Sequence, residues 1–226
     1  MNLALAFDCA VTGLSVALVR DEACLAQATA PGRDQAARLF PTIESVLAEA
    51  GVERGAIELV AVTVGPGSFT GVRVGLSAAR GLALALAVPL AGLVTTSVLL
   101  RQARNDTGRL AVSAIDSRLG DWFCAISGAD EAPFLASAEA LAARLKGQPT
   151  LLVGPDAEAL GNALRSHGLD VAAQRELPDA AAIARLALAA GVEAWRQRNA
   201  AEGMPRPLYL RGVSVTSPDG ARRTVE

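Results

Sequence analysis

Residues 65–75 read Gly-Pro-Gly-Ser-Phe-Thr-Gly-Val-Arg-Val-Gly, and their surroundings narrow what the chain can become. The run before them, Leu59-Val60-Ala61-Val62-Thr63-Val64, is apolar and β-branched, which predicts a buried strand. Leu76 to Ala87 follows, rich in Ala and Leu and stopped by Pro89, which predicts a helix. A strand, a glycine-rich turn and a helix bring free backbone N–H groups and a positive helix end to one point. The two common phosphate loops are nevertheless excluded. A P-loop needs lysine and a hydroxyl directly after its last glycine, whereas Val72 and Arg73 follow Gly71. The dinucleotide fingerprint needs Gly-x-Gly-x-x-Gly and an acidic residue about 20 positions on. This turn is one residue longer, and no Asp or Glu occurs between Glu58 and Asp106.

The helix after the turn carries Gly71, Gly75, Ala78, Gly81 and Ala85 every three or four residues. Such a stripe lets another element approach closely, at a propensity cost of about 1 kcal/mol per interior glycine. Two occupants fit: the helix expected over 33–50, and a partner protein. Close approach also suits the composition, because aromatics are only 4% of a chain that is 51% hydrophobic. The core must be built from Ala, Val and Leu.

Taken in order, Leu3 to Phe7 reads as a strand ending at Asp8, and Leu14 to Val19 returns after a turn containing Thr12 and Gly13. Cys24 to Thr29 is a third strand. Over Arg33 to Ala50, Leu39, Phe40, Ile43, Val46, Leu47 and Ala50 fall on one helical face, with Pro41 expected to kink the helix or start a new segment. After the glycine turn come a strand from Val88 to Gly92 and a helix capped by Thr95-Thr96-Ser97. Asn105-Asp106-Thr107-Gly108 is the strongest turn cluster and marks a domain boundary. Leu110 to Ile115 is then a strand ending at Asp116, with a turn through Ser117 and Gly120 and a return over Asp121 to Ile126. This repeats the opening 108 residues later. Beyond it lie helices over 138–146 and 157–167, strands over 150–153 and 169–173, and one long helix from Ala180 to about Asn199 capped by Asp179. The segment Pro205-Arg206-Pro207-Leu208-Tyr209-Leu210-Arg211 is extended, and 217–226 is expected to be disordered.

The nine residues Gly65 to Arg73 resemble the signature of the bacterial TsaB (YeaZ) family of tRNA threonylcarbamoyladenosine biosynthesis proteins, and the run Pro207-Leu208-Tyr209-Leu210-Arg211 resembles a second feature of it. The resemblance implies an α/β, two-lobed actin/hexokinase/Hsp70-like (ribonuclease H-like) fold, with mixed sheets flanked by helices. The repeat of strand, Asp and turn suits that fold, with lobes over 1–107 and 108–226 and the last long helix packing back on the first lobe. It further implies a non-catalytic scaffold and activator, pairing with the paralogue TsaD and with TsaE to install threonylcarbamoyl on the adenosine next to the anticodon. A separate synthase would make the threonylcarbamoyl-adenylate donor. Without TsaD, the same surface would form a homodimer. The implied interface residues are Gln35, Arg38, Leu39 and Thr42 on the first helix, and Val72, Arg73, Leu76 and Arg80 on the second. The motif turn itself is Gly65, Gly67, Ser68, Thr70, Gly71 and Gly75.

The catalytic inventory is thin. Asp8 with Thr12, and Asp116 with Ser117, stand where superfamily kinases hold Mg-ATP, but the first turn reads Asp8-Cys9-Ala10-Val11-Thr12, replacing two hydroxyls. These four residues form a vestigial nucleotide site, with turn capping as the plainer role. No cofactor is expected on the chain alone, with ATP or ADP at the complex with TsaD. TsaD carries a His-x-x-x-His metal motif on its first helix, and Gln35 and Leu39 stand at that spacing here. The sole histidine is His167, and three separated cysteines (Cys9, Cys24, Cys124) make neither a zinc site nor a disulfide framework. Ser68 lacks the spacing of a nucleophile elbow. The alternatives, a small-molecule kinase or ATPase of the superfamily and a peptidase, therefore lack residues. Formal net charge is −2, so tRNA is met only through the complex. A chain with no basic apolar leader and no run of 18 apolar residues is expected to be soluble and cytoplasmic, without membrane contact.

Overall fold

A computed structural model describes the chain except residues 1, 33, 129, 130, 212, 217–221 and 226. Its first half contains β1 (Leu3–Asp8), β2 (Leu14–Arg20), β3 (Ala23–Ala30), α1 (Gln35–Ala50), β4 (Leu59–Thr63), α2 (Phe69–Leu86) and β5 (Leu90–Leu93). The sheet order is β3-β2-β1-β4-β5, with an antiparallel meander on one side of β1 and parallel strands on the other. After α3 (Thr95–Gln102) the pattern restarts with β6 (Leu110–Asp116), β7 (Trp122–Ile126), β8 (Phe134–Ala136), α4 (Ala138–Leu145), β9 (Thr150–Gly154), α5 (Ala157–Ser166) and β10 (Val171–Arg175). That sheet runs β8-β7-β6-β9-β10, the same arrangement. The chain is thus a duplicated α/β fold, with two mixed five-stranded sheets of one topology flanked by helices.

Alternation along β1 decides which helices cover which face. Leu3, Leu5 and Phe7 join Leu39, Ile43, Val46 and Leu47 of α1 and Leu76, Ala79 and Ala83 of α2 in one core. Ala4 and Ala6 face the other way, with Ala17, Ala61 and Ala91, and meet Ala180, Ala184 and Ala187 of α6 (Ala180–Ala190). Alanine on both sides lets α6 lie close to the strands, which is how a core so poor in aromatics fills its volume. Helix α3 lies between the sheets, with Val98 in the first sheet's alanine-rich core and Leu99 and Leu100 against Ile115, Leu151 and Val153 of the second.

Several expectations need correction. Pro41 starts no new segment: it sits inside one continuous α1, because the helix loses only one N–H there and its apolar face stays packed on the sheet. Thr95 and Thr96 lie in the first turn of α3, fully buried, and Val94 is its N-cap. The long last helix is two, α6 and α7 (Val192–Glu202), broken at Gly191 with φ 89°. The break turns Trp195 back so that its indole N–H donates to the Ala187 carbonyl at 2.9 Å. Strand β8 went unforeseen. Within the tail expected to be disordered, β12 (Arg222–Val225) pairs antiparallel with β11 (Val213–Thr216); 217–221 and 226 lie outside the described residues. Helix α2 is apolar and long enough to span a bilayer by length and composition alone, but Val72, Leu76, Ala79 and Ala83 are packed inside this fold.

Helix α7 closes an open sheet edge. Asn199 accepts from the Leu90 N–H at 2.7 Å and donates to the Leu90 carbonyl at 3.0 Å, as a neighbouring strand would. Asn199→Ala leaves both buried groups of Leu90 without partners and should cost about 1–3 kcal/mol, read from urea denaturation midpoints. Asn199→Asp, which restores only the acceptor, should fall between that variant and the wild type.

Candidate functional site

The glycine-rich turn is built by backbone contact. After β4 the chain passes a cis Gly65–Pro66 bond and enters α2 at Phe69, with the Ser68 hydroxyl accepting from the Gly71 N–H at 3.2 Å as N-cap. The Ser68 N–H donates to the Ala10 carbonyl at 2.6 Å. A Cβ on Gly67 would come closer than 3.0 Å to that same carbonyl, and one on Gly71 closer than 3.0 Å to the Cys9 carbonyl. Gly75 faces the Cys9 side chain and Val62. The small-residue stripe therefore corrects the sequence reading at this end: it receives the β1–β2 turn, not a helix. Only further along does it open, at Gly81, where a Cβ would meet nothing within 4 Å.

Beneath the turn Asp8 is sealed. Its carboxylate accepts from the Thr63 hydroxyl and, at 3.1 Å, from the Ala10 N–H. Burial pushes its pKa up to about 6, against the pull of those hydrogen bonds. The second turn is also satisfied internally. Asp116 accepts from the Arg118 N–H at 2.7 Å, and the Arg118 guanidinium lies 3.1 Å from Asp116 and 3.3 Å from Asp156. The Ser117 hydroxyl bonds Asp121. Between the two turns lies a cleft of about 1100 Å³, which Thr12, Gln35, Ser68, Thr70, Asp116 and Ser117 help to line.

These residues do not fit a kinase-type grip on a magnesium nucleotide. Asp8 points at Thr63 and its own turn, the Ala10 carbonyl is taken by Ser68, and Cys9 and Ala10 supply no hydroxyl. Nor do they suggest a thiol site, since burial raises the Cys9 thiol and pushes Cys124 up to about 12. Among the described residues no three of His, Cys, Asp and Glu cluster to hold a metal. Leu39, at the position of a metal-ligand histidine in TsaD by resemblance, is 1% exposed in the core of the first half.

The eight expected interface residues part company in the structure. Leu39, Val72 and Leu76 are buried in this chain's own core, so they are corrected to packing residues unavailable to a partner. Arg80 is half-buried and donates to the Pro205 carbonyl at 2.6 Å, which turns it under the chain's own C-terminal segment. Gln35 and Thr42 are half-buried and bond the Val11 and Arg38 carbonyls. Arg38 and Arg73 are exposed. The outward face of the two helices instead holds Ala37, Phe40, Pro41, Ser77, Gly81 and Leu84, with Phe40 at 48% and Leu84 at 75% exposure. Periodicity put Phe40 on the core face; the buried stripe is one residue narrower.

The model of the tRNA N6-adenosine threonylcarbamoyltransferase family, TsaD, matches residues 29–213. The chain belongs to this family. Within it the chain is of the TsaB (YeaZ) type. It is similar to the tRNA threonylcarbamoyladenosine biosynthesis protein TsaB of Escherichia coli K12, at 36% identity over 128 residues, 56% of this chain and 55% of that one. It is similar also to a tRNA N6-adenosine threonylcarbamoyltransferase of Erythrobacter litoralis, at 47% over 58 residues, 26% of this chain and 17% of that one. The solved YeaZ of Pseudomonas aeruginosa superposes with a TM-score of 0.70 at 25% identity, covering 93% of this chain and 100% of that one. The chain spans about half the length of the curated relatives it matches.

Two variants separate structural from open positions. Gly71→Ala must displace the backbone at Cys9 and should cost more than about 2 kcal/mol, whereas Gly81→Ala should stabilise by up to about 1 kcal/mol. Both are read from denaturation midpoints. For Asp8, the folded state binds the proton more tightly than the unfolded state, so stability is greatest below about pH 4 and falls as pH rises through about 6. The loss amounts to about 3 kcal/mol for a shift of this size. Melting temperatures from pH 4 to 7.5 should show Asp8→Asn losing less stability over that range than wild type.

Proposed function

We propose that this chain is a non-catalytic partner subunit that pairs with TsaD, and works with TsaE, in forming N6-threonylcarbamoyladenosine next to the anticodon of tRNA. The observation that carries this reading is a member of the transferase family whose first helix buries leucine at a metal-ligand position. Its outward α1–α2 face is also made of small and apolar residues. Ala37, Pro41, Ser77 and Gly81 let helices of a partner approach closely, and Phe40, Leu84 and Arg73 are the anchors an interface uses. In the absence of TsaD a second copy takes the same face. ATP or ADP belongs to the assembled complex, since the chain's own first turn is closed to it. The acidic balance leaves tRNA to the complex, in the cytoplasm.

Because Phe40 and Leu84 are exposed, Phe40→Asp with Leu84→Asp should leave the melting temperature within a few degrees of wild type. It should weaken binding to cognate TsaD by at least about a hundredfold in a titration. Equal binding by the double variant would place the interface elsewhere, and a wild-type chain that never binds TsaD would refute the scaffold role.

A further inference from the structure

Residues 204–211 run as an extended segment along α2 and across the mouth of the cleft. Pro205 packs on Gly92 of β5 and takes the Arg80 guanidinium on its carbonyl at 2.6 Å. The Leu208 N–H donates to the Val64 carbonyl at 2.8 Å, beside the glycine turn. Tyr209 lies against Phe69, ring centroids 5.7 Å apart, and the Arg73 guanidinium sits 3.3 Å over Phe69 and 5.4 Å from Tyr209. Arg73 and Arg80, one heptad apart on α2, thus grip the segment at two places. Up to this point every contact is with the first half. The next anchor is not: Arg211 forms an ion pair with Asp121, in the β6–β7 turn of the second half. Leu208, Tyr209, Leu210 and Arg211 line the cleft between.

We propose that this segment is a latch across the cleft, fixed on α2 and β5, closed on the second half by Arg211 and Asp121, and released by moving Tyr209 off the Phe69–Arg73 stack. The design follows from the strengths of its parts. The fixed end has buried packing and two hydrogen bonds to carbonyls. The closing end is one ion pair with side chains 39% and 23% exposed, a kind that contributes little to stability and so opens readily. Phe69 and Tyr209 are themselves 48% and 41% exposed, so the stack can be reached from outside. What the pair holds is also specific. Asp121 takes the Ser117 hydroxyl, Ser117 in turn accepts from the Leu119 N–H at 3.2 Å, and the Ser117 N–H bonds the Asp121 carbonyl at 3.1 Å. Loss of Arg211 leaves the Asp121 carboxylate free to leave this turn, so the amides of 117–121 report the latch.

Hydrogen exchange on the full chain tests it. Arg211→Gln is expected to speed exchange of the 117–121 amides at least tenfold while those of β1 and β4 keep their rates, and Arg211→Asp combined with Asp121→Arg is expected to restore protection. Tyr209→Ala should speed the same amides. Unchanged exchange in Arg211→Gln overturns the latch, as does a rise spread equally over β1 and β4, which would make the segment a brace for the whole fold. Unchanged exchange in Tyr209→Ala alone overturns the release through the stack. None of these outcomes depends on TsaD, so the latch and the proposed pairing stand or fall separately.

Discussion

The structure depends on one contact between two stretches of backbone. Gly67 and Gly71 bring the start of α2 against the carbonyls of Ala10 and Cys9, at a distance no side chain would permit. That contact fixes α2 on β1, seals Asp8 beneath the turn and leaves the Ser68 N–H bonded to Ala10. A turn that looks like a phosphate cradle in sequence has its groups committed to the chain itself. The cost is a buried carboxylate near pH 6 with only a hydroxyl and the backbone N–H groups of its own turn for company. What the packing yields is a rigidly held helix whose other side remains free.

Duplication explains why the two halves diverge in use. Both turns after the central strands keep an aspartate, but Asp8 is enclosed while Asp116 is half-exposed and paired with Arg118. The first half carries the outward helices and the second half carries the turn that Arg211 reaches. Contacts between the halves include α3 packed between the sheets, Val11 of the β1–β2 turn packed beside Ile115 and Val153, and the C-terminal segment bridging the cleft.

Much of this was legible in the residues. The strand before Gly65, the helix after it, and the recurrence of Asp8 as Asp116 announce the duplicated sheet, because hydrophobic period and turn chemistry act locally. What stayed hidden was direction. A stripe of glycines says that something comes close, not what, and the occupant at Gly71 proved to be a turn 62 residues earlier. Helical periodicity likewise marks an apolar face without fixing its edges, so Leu39, Val72 and Leu76 went to the partner and Phe40 to the core. Asn199 and Arg211 act across 109 and 90 residues with no local signal. The site was legible as a motif and illegible as a contact map.

On the proposed reading, this chain assists a transferase without performing the transfer. Threonylcarbamoyladenosine formed on tRNA should therefore be measured in a reconstituted reaction containing the threonylcarbamoyl-adenylate donor, cognate TsaD and TsaE, with each protein omitted in turn. Product is expected only when this chain and TsaD are both present, and none from this chain with donor and tRNA alone. Product from this chain without TsaD, or an undiminished yield when this chain is left out, would contradict it.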